Sequence, residues 1–117
     1  MIGIDLFCGA GGMTLGAKQA GIDVKFAVEF DKYAALTYSN NNSEVTVFND
    51  DIRKLKNISF KKRKNEQLIV FGGPPCQGFS TSNQRTRNKQ NPNNWLFSEF
   101  IRIIKLTNPE WILFENV

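Results

Sequence analysis

Apolar and polar positions form two kinds of segment along the chain. Five short runs are rich in apolar, β-branched or aromatic residues, which is typical of strands; they cover residues 2–7, 24–28, 44–48, 68–71 and 111–114. The stretches between them predict helices at about 12–20, 31–40 and 95–107. In the last of these, four apolar residues recur at the spacing of one helical face, and we expect them to pack into the core: Phe97, Phe100, Ile101 and Ile104.

The alternation of strands and helices predicts an α/β fold. We expect a doubly wound, mostly parallel, Rossmann-like sheet with right-handed crossovers and helices on both faces. Gly21 is expected to cap the first helix, and Asn108 with Pro109 to end the last one. At 117 residues the chain is the size of one domain, whose sheet stops after about five strands.

Composition narrows the class of protein. With 41% hydrophobic and 22% charged residues, the chain has the balance of a globular domain. No apolar run approaches the roughly 20 residues that a transmembrane helix needs, so we expect a cytoplasmic protein without a membrane partner. The two cysteines, Cys8 and Cys76, are far apart and there is no histidine. We therefore expect no metal site, and this chain cannot supply a Ser-His or Cys-His pair.

The net charge of +4 is concentrated in two basic clusters. The first cluster predicts either a solvated loop or a contact with nucleic-acid phosphates; it consists of Arg53, Lys54, Lys56, Lys61, Lys62, Arg63 and Lys64. The second cluster, Arg85, Arg87 and Lys89, lies beyond Cys76 in the aperiodic polar segment 77–94. We expect the second cluster to contact phosphates, because loops of that length are commonly functional.

Five residues with possible chemical roles follow the ends of the five predicted strands: Phe7, Glu29, Asp51, Cys76 and Glu115. Taken singly, such residues have ordinary explanations, since an aspartate can form a turn or cap a helix and a cysteine can be a small buried apolar residue. The carboxyl ends of parallel strands meet at one edge of a sheet, where ligands bind in open α/β folds. Together the five residues predict a site there.

A run of glycines follows the first strand at Gly9, Gly11 and Gly12. A strand, a glycine turn and a helix open many nucleoside-binding domains, although close helix packing alone also demands such glycines. Thr14 stands where a dinucleotide fingerprint has its third glycine, so this turn does not favour a pyrophosphate site. Glu29 then follows the second strand, where a carboxylate can bind ribose hydroxyls.

Cys76 follows a stiff corner of the chain. Gly72 and Gly73 allow a turn, and Pro74 and Pro75 limit the freedom of the backbone after it. A thiol presented in this way beyond a strand is placed to react, and we expect Cys76 to be a nucleophile.

Three segments resemble motifs of the cytosine-5 DNA methyltransferases. They are Asp5-Leu-Phe-Cys-Gly-Ala-Gly-Gly12, Gly72-Gly-Pro-Pro-Cys-Gln-Gly-Phe-Ser80 and Glu115-Asn-Val117, in the family's order. The resemblance implies that residues 1–117 are the N-terminal portion of the catalytic methyltransferase domain. The family's target-recognition domain, which reads the DNA sequence, would be absent from this stretch.

The resemblance implies S-adenosylmethionine as cofactor. Phe7 would stack on its adenine, Glu29 would hold its ribose hydroxyls, Asp51 and Ile52 would contact the adenine amino group and face, and the glycine turn would approach the methionine part. The full set of implied cofactor contacts is Phe7, Cys8, Gly9, Gly11, Gly12, Glu29, Phe30, Asp51, Ile52, Pro75 and Leu96.

The resemblance also implies the reaction and its substrate. Cys76 would attack carbon 6 of a cytosine flipped out of double-stranded DNA, and Glu115 would supply a proton at ring nitrogen 3. Residues 77–94 are similar to the family's mobile catalytic loop. The implied DNA contacts are Gln77, Ser80, Arg85, Arg87 and Lys89.

Restriction–modification is the biological context that the resemblance implies. The remaining C-terminal portion or a second subunit would be a partner, and the isolated 117 residues are expected to bind cofactor weakly and to show no turnover. Two alternatives stay open at this point: a transfer-RNA cytosine-5 methyltransferase, whose family shares the Pro-Pro-Cys motif, and a non-catalytic nucleotide-binding module.

Overall fold

The computed structural model describes residues 1–75 and 95–116. Five strands and three helices follow the predicted order, and each boundary lies within two residues of its predicted position. A single turn of 3-10 helix, Ile52–Lys54, lies between the third and fourth strands. The elements are β1 (Ile2–Leu6), α1 (Gly12–Gln19), β2 (Asp23–Val28), α2 (Lys32–Asn41), β3 (Thr46–Phe48), β4 (Leu68–Gly72), α3 (Trp95–Thr107) and β5 (Trp111–Phe114).

The five strands form one parallel sheet in the order β3-β2-β1-β4-β5. The chain winds outward from the central β1 to β3, then crosses back to add β4 and β5 on the other side. This is the doubly wound topology that the sequence predicts, and it brings the carboxyl ends of all five strands to one edge.

Helices cover both faces of the sheet. On one face, α3 buries Phe100 and Ile103 against alternate residues of β1, among them Ile4 and Leu6. On the other face, α2 buries Tyr38 in a cluster with residues of β2 and β4. Both faces of the central strand β1 are therefore covered, which accounts for its burial at all five positions.

The predicted core stripe of α3 is partly wrong. Phe100 is buried, but Phe97 is 49% exposed and only packs edge-on against Phe114, with ring centroids 5.5 Å apart. Ile103 is fully buried in its place as the second anchor of the helix. A second stripe, Leu96, Phe100 and Ile103, is spaced i, i+4 and i+7 and satisfies the helical period as well as the predicted stripe does. Only packing against the sheet selects between the two.

Helix α1 ends at Gln19, one residue before its predicted end. Ala20 is the C-cap, and Gly21, which was expected to cap the helix, follows it in a left-handed conformation. The amide of Gly21 donates to the Lys18 carbonyl and that of Ile22 to the Ala17 carbonyl, both at 2.9 Å. These two hydrogen bonds satisfy carbonyls that the helix itself leaves open.

Within the described ranges 1–75 and 95–116, no helix has the length and apolar character needed to cross a membrane.

Candidate active site

A cavity of about 380 Å³ lies at the carboxyl edge of the sheet. Seven of the cofactor residues expected from sequence are in its wall: Phe7, Glu29, Phe30, Asp51, Ile52, Pro75 and Leu96. They come from five separate parts of the chain, which the parallel topology brings together. The wall is completed by Val28, Asp31, Asp50, Arg53, Gly73 and Trp95.

The glycine turn after β1 is held in an unusual backbone conformation. Phe7 has φ of 61°, although it is not a glycine, and Gly11 has φ of 103°. A Cβ on Gly11 would lie 3.0 Å from the Tyr38 ring, so both the backbone and the space favour glycine there. The turn brings Phe7 into the wall of the cavity. Cys8, Gly9, Gly11 and Gly12 are not among the described wall residues.

Glu29 joins the ends of β1 and β2. One carboxylate oxygen accepts a hydrogen bond of 2.8 Å from the Gly9 amide, and the other accepts one of 2.8 Å from the Asp31 amide. Each carboxylate oxygen has a further lone pair, so Glu29 retains acceptor capacity on the cavity side. Its position is therefore fixed by backbone donors before any ligand arrives.

A buried polar network lies beneath the glycine turn. Thr14 of α1 donates to Asp5 of β1 at 2.7 Å, and the Thr14 and Tyr38 hydroxyls are 2.8 Å apart. Since the Thr14 hydrogen is already given to Asp5, Tyr38 is the donor in the second pair. The second oxygen of Asp5 has no partner among the described residues, and burial raises the pKa of Asp5 to about 7.

Cys8 is a core residue. Its side chain is 7% exposed and packs in the apolar cluster with Tyr38 and Phe71. Burial, and then the negative charges of Asp5 and Glu29, raise the pKa of the Cys8 thiol well above its usual range. Cys8 is therefore a poor nucleophile, and its side chain fills space behind the turn.

Two aspartates at the end of β3 are paired with residues of the first basic cluster. Asp51 caps the 3-10 turn by accepting from the Arg53 amide at 2.9 Å, as its position in the sequence suggested, and also binds the Arg53 side chain. Asp50 accepts from Lys54 at 2.8 Å. The Arg53 hydrogen bonds lower the pKa of Asp51 to about 2, and those of Lys54 lower the pKa of Asp50.

Other members of the first cluster are also engaged within the chain. Lys62 pairs with Glu110 at 2.8 Å, and Lys56 donates to the Arg53 carbonyl at 3.1 Å. These contacts favour the interpretation of this cluster as a solvated, internally paired surface.

Glu115 lies directly after β5, beside the Gly-Gly pair. Its amide donates to the Gly72 carbonyl at 3.0 Å, which continues the pairing of β5 with β4. A Cβ on Gly73 would lie 2.6 Å from the Glu115 carboxylate, so the two residues are in close proximity and a side chain at position 73 would displace that of Glu115. Glu115 therefore contacts the segment that leads through Pro74 and Pro75 to Cys76.

The family model for C-5 cytosine-specific DNA methylases matches residues 1–117, the whole chain. This chain belongs to that family.

Relatives of this methylase chain include the type II methyltransferase M.DdeI of Desulfomicrobium norvegicum, 42% identical over 97% of the chain and 27% of the relative. M.HgiGI of Herpetosiphon aurantiacus is 38% identical over 97% of the chain and 88% of the relative. A solved structure described as a DNA modification methyltransferase of an E. coli prophage superposes with a TM-score of 0.79 at 37% identity, covering the whole chain and 32% of that structure. The chain thus spans about a third or less of most of these proteins.

Sequence reasoning missed four charged or aromatic residues in the cavity wall: Asp31, Asp50, Arg53 and Trp95. Each is adjacent in sequence to a residue that was singled out, or within two positions of one, which is the signal that could have found it. Six predicted residues lie outside the described ranges: Cys76, Gln77, Ser80, Arg85, Arg87 and Lys89.

Proposed function

We propose that this chain forms the cofactor-binding and nucleophile-bearing part of an enzyme that methylates carbon 5 of cytosine in double-stranded DNA. Family membership supports the reaction class. The observation that carries the proposal is the cavity at the carboxyl edge of the sheet, whose wall includes Pro75, the residue before Cys76.

The wall of the cavity fits S-adenosylmethionine. Phe7 and Ile52 offer apolar surfaces for a flat base, while Glu29 and Asp51 are hydrogen-bond acceptors suited to hydroxyl and amino groups. Phe30, Pro75 and Leu96 extend the apolar part of the wall. Cys8, Gly9, Gly11 and Gly12 would approach the methionine part. When bound, the cofactor supplies an electrophilic methyl group on its sulfonium.

The chain's own residues account for the rest of the chemistry. The Cys76 thiolate forms a bond to carbon 6 of the cytosine, which breaks the aromaticity of the ring and makes carbon 5 nucleophilic. Glu115 gives a proton to ring nitrogen 3, where negative charge would otherwise collect. After methylation, loss of the proton from carbon 5 restores the ring and expels Cys76.

A cytosine inside a duplex cannot be reached by a thiol, so the base is flipped out of the stack. Arg85, Arg87 and Lys89 hold phosphates of the opened DNA, and Gln77 and Ser80 contact the DNA beside the nucleophile. We place the enzyme in a cytoplasmic restriction–modification system, because relatives such as M.DdeI are named type II methyltransferases.

The methylation reaction requires more protein than these 117 residues. The chain spans 27% of M.DdeI and 32% of M1.HphI of Haemophilus parahaemolyticus. Trp111, Ile112 and Leu113 of β5 are each more than half exposed, although they form a strand of the sheet. A further part of the same polypeptide, or a second subunit, covers this strand and reads the DNA sequence.

Covalent trapping tests the proposal. DNA in which the target cytosine is replaced by 5-fluorocytosine cannot lose a proton from carbon 5, so the adduct with Cys76 persists. The complete enzyme containing this chain is expected to form an adduct stable to denaturation, in the presence of S-adenosylmethionine. Cys76→Ser is expected to form none, because a hydroxyl is a far weaker nucleophile than a thiolate.

Cys8→Ser is the matched control, because the Cys8 side chain is buried in the core and only the backbone of this residue would approach the cofactor. It should leave trapping intact in protein that remains folded. Failure of the wild-type enzyme to trap on any duplex that contains 5-fluorocytosine would favour a non-catalytic nucleotide-binding module. Trapping by Cys76→Ser would refute the role of Cys76.

A further inference from the structure

The Arg53 side chain donates several hydrogen bonds to the carboxylate of Asp51. Its Nε lies 3.0 Å from each Asp51 oxygen, and one terminal nitrogen lies 2.5 Å from Oδ2. The Arg53 backbone amide adds a fourth contact, at 2.9 Å from Oδ1. Charge-assisted contacts of this kind fix the plane of a carboxylate more tightly than a single hydrogen bond does.

The ring of Trp95 packs against the same guanidinium. The guanidinium carbon lies 4.3 Å from the centroid of the Trp95 ring, at the first residue of α3. Arg53 is 60% exposed, whereas the Asp51 side chain is only 15% exposed. A largely exposed arginine ordinarily samples many rotamers. This one is restrained by an anion and by an aromatic ring.

All three residues belong to the wall of the cavity. The Arg53 hydrogen bonds keep the pKa of Asp51 at about 2, so the carboxylate is ionised at neutral pH and can only accept hydrogen bonds. A ligand atom facing it must therefore be a donor. An exocyclic amino group satisfies this condition, and a carbonyl oxygen at the same place is repelled.

We propose that Arg53, braced by Trp95, is a positioning residue that aims the Asp51 carboxylate into the cavity and thereby selects a 6-amino purine over a 6-oxo purine. This inference rests on the proposed cofactor site and adds the residue that sets its base specificity. Loss of the Arg53 side chain leaves the carboxylate held only by the backbone amide of residue 53, so its plane is no longer fixed and both affinity for the amino purine and discrimination decline.

Titration of the complete enzyme containing this chain with S-adenosylhomocysteine and with S-inosylhomocysteine tests this inference. The two ligands differ at position 6 of the purine, which carries an amino group in the first and a carbonyl in the second, and at the adjacent ring nitrogen 1, which carries a proton only in the second. Amide and indole chemical shifts in the NMR spectrum report binding even when it is weak, and the Trp95 indole is a probe beside Arg53. We expect wild type to favour the amino ligand by about tenfold or more.

Arg53→Ala is expected to reduce that ratio to about two- or threefold, mainly through weaker binding of the amino ligand. Arg53→Lys should fall between the two, because an ammonium cannot hold the carboxylate through several planar donors. Lys54→Ala is the matched control: it removes the neighbouring basic side chain, which pairs with Asp50. It should keep the wild-type ratio.

The outcomes separate this inference from the proposed function. No binding of either ligand to wild type would overturn the cofactor site and the inference together. Asp51→Asn could remove the preference of the wild type for the amino ligand while Arg53→Ala leaves that preference unchanged. This result would overturn the role of Arg53 alone. If Arg53→Ala weakened the binding of both ligands equally, Arg53 would have only a structural role. This result would also overturn the inference.

Discussion

At the scale of single residues, Asp5 shows how burial changes the chemistry of a carboxyl group. It is fully buried in β1 and receives one hydrogen bond, from Thr14, while its other oxygen has no partner among the described residues. Burial penalises its charged form more than the hydrogen bond compensates, so its pKa rises from 3.8 to about 7. The carboxyl group therefore binds a proton more tightly in the folded chain than in the unfolded one.

Stability is accordingly expected to decrease as pH rises from about 4 to about 7, because in this range the folded chain holds a proton on Asp5 that the unfolded chain has lost. The shift from 3.8 to about 7 corresponds to at most about 4 kcal/mol. Asp5→Asn, which cannot ionise, should remove this part of the pH dependence. Urea unfolding of both proteins at pH 5 and pH 8 measures the difference.

Asp23→Asn is the control for this prediction. Asp23 also lies in a strand, but its side chain is 55% exposed and paired with Lys25. The Asp23→Asn substitution should change the pH dependence of stability little. If the stabilities of wild type and Asp5→Asn changed with pH in parallel, Asp5 would not be the cause of the pH dependence.

At the scale of elements, β1 and β4 approach so closely that one position allows no side chain. Leu6 is the pairing partner of Gly72, and a Cβ on Gly72 would lie 2.0 Å from the Leu6 carbonyl oxygen. The obstacle is backbone, which cannot move aside without disturbing the central strand. This contact lies at the end of β4, next to the Gly-Pro-Pro segment that leads to Cys76.

Gly72→Ala is therefore expected to destabilise the fold by about 3 kcal/mol or more, because the two central strands must separate. Gly16→Ala provides a contrasting substitution in α1, where an added Cβ meets nothing within 4 Å. It should stabilise the fold by about 0.5–1 kcal/mol through its effect on helix propensity. Chemical denaturation of the two variants measures both values. A mild effect of Gly72→Ala would mean that β1 and β4 are not held in this register.

At the scale of the whole molecule, the strands of the sheet are buried to different extents. The central strand β1 is buried along its length, whereas β5 forms an edge with Trp111 at 54% and Ile112 at 53% exposure. Adjacent residues of a strand point to opposite faces, so neither face of β5 is fully covered. An exposed apolar edge strand of this kind is a surface for further protein.

The isolated 117 residues are therefore expected to transfer no methyl group, since the proposed function requires further protein to cover β5 and to read DNA. Incubation with labelled S-adenosylmethionine and DNA should give no more label than the Cys76→Ser variant does. The complete enzyme, assayed beside it, is the positive control. Turnover by the 117 residues alone would contradict the prediction and would show that they form a sufficient catalytic unit.

The sequence by itself determined the elements and the edge that carries the site. Strand and helix positions follow from local periodicity, and a parallel sheet places the ends of its strands together, so Phe7, Glu29 and Asp51 could be grouped before the structure was known. Glycine runs and short motifs are likewise local signals. Each of these signals reflects the backbone conformation of only a few neighbouring residues, so it can be read from the sequence.

Only the tertiary structure decided which side chains complete those elements. Phe97 and Ile103 exchanged their expected roles because two stripes on α3 satisfy the same period and packing chose one. Arg53 and Trp95 meet across 42 positions of the chain, and no local pattern encodes that contact. The raised pKa of Asp5 has the same origin, because the energetic cost of charging the carboxyl group depends on what surrounds it after folding.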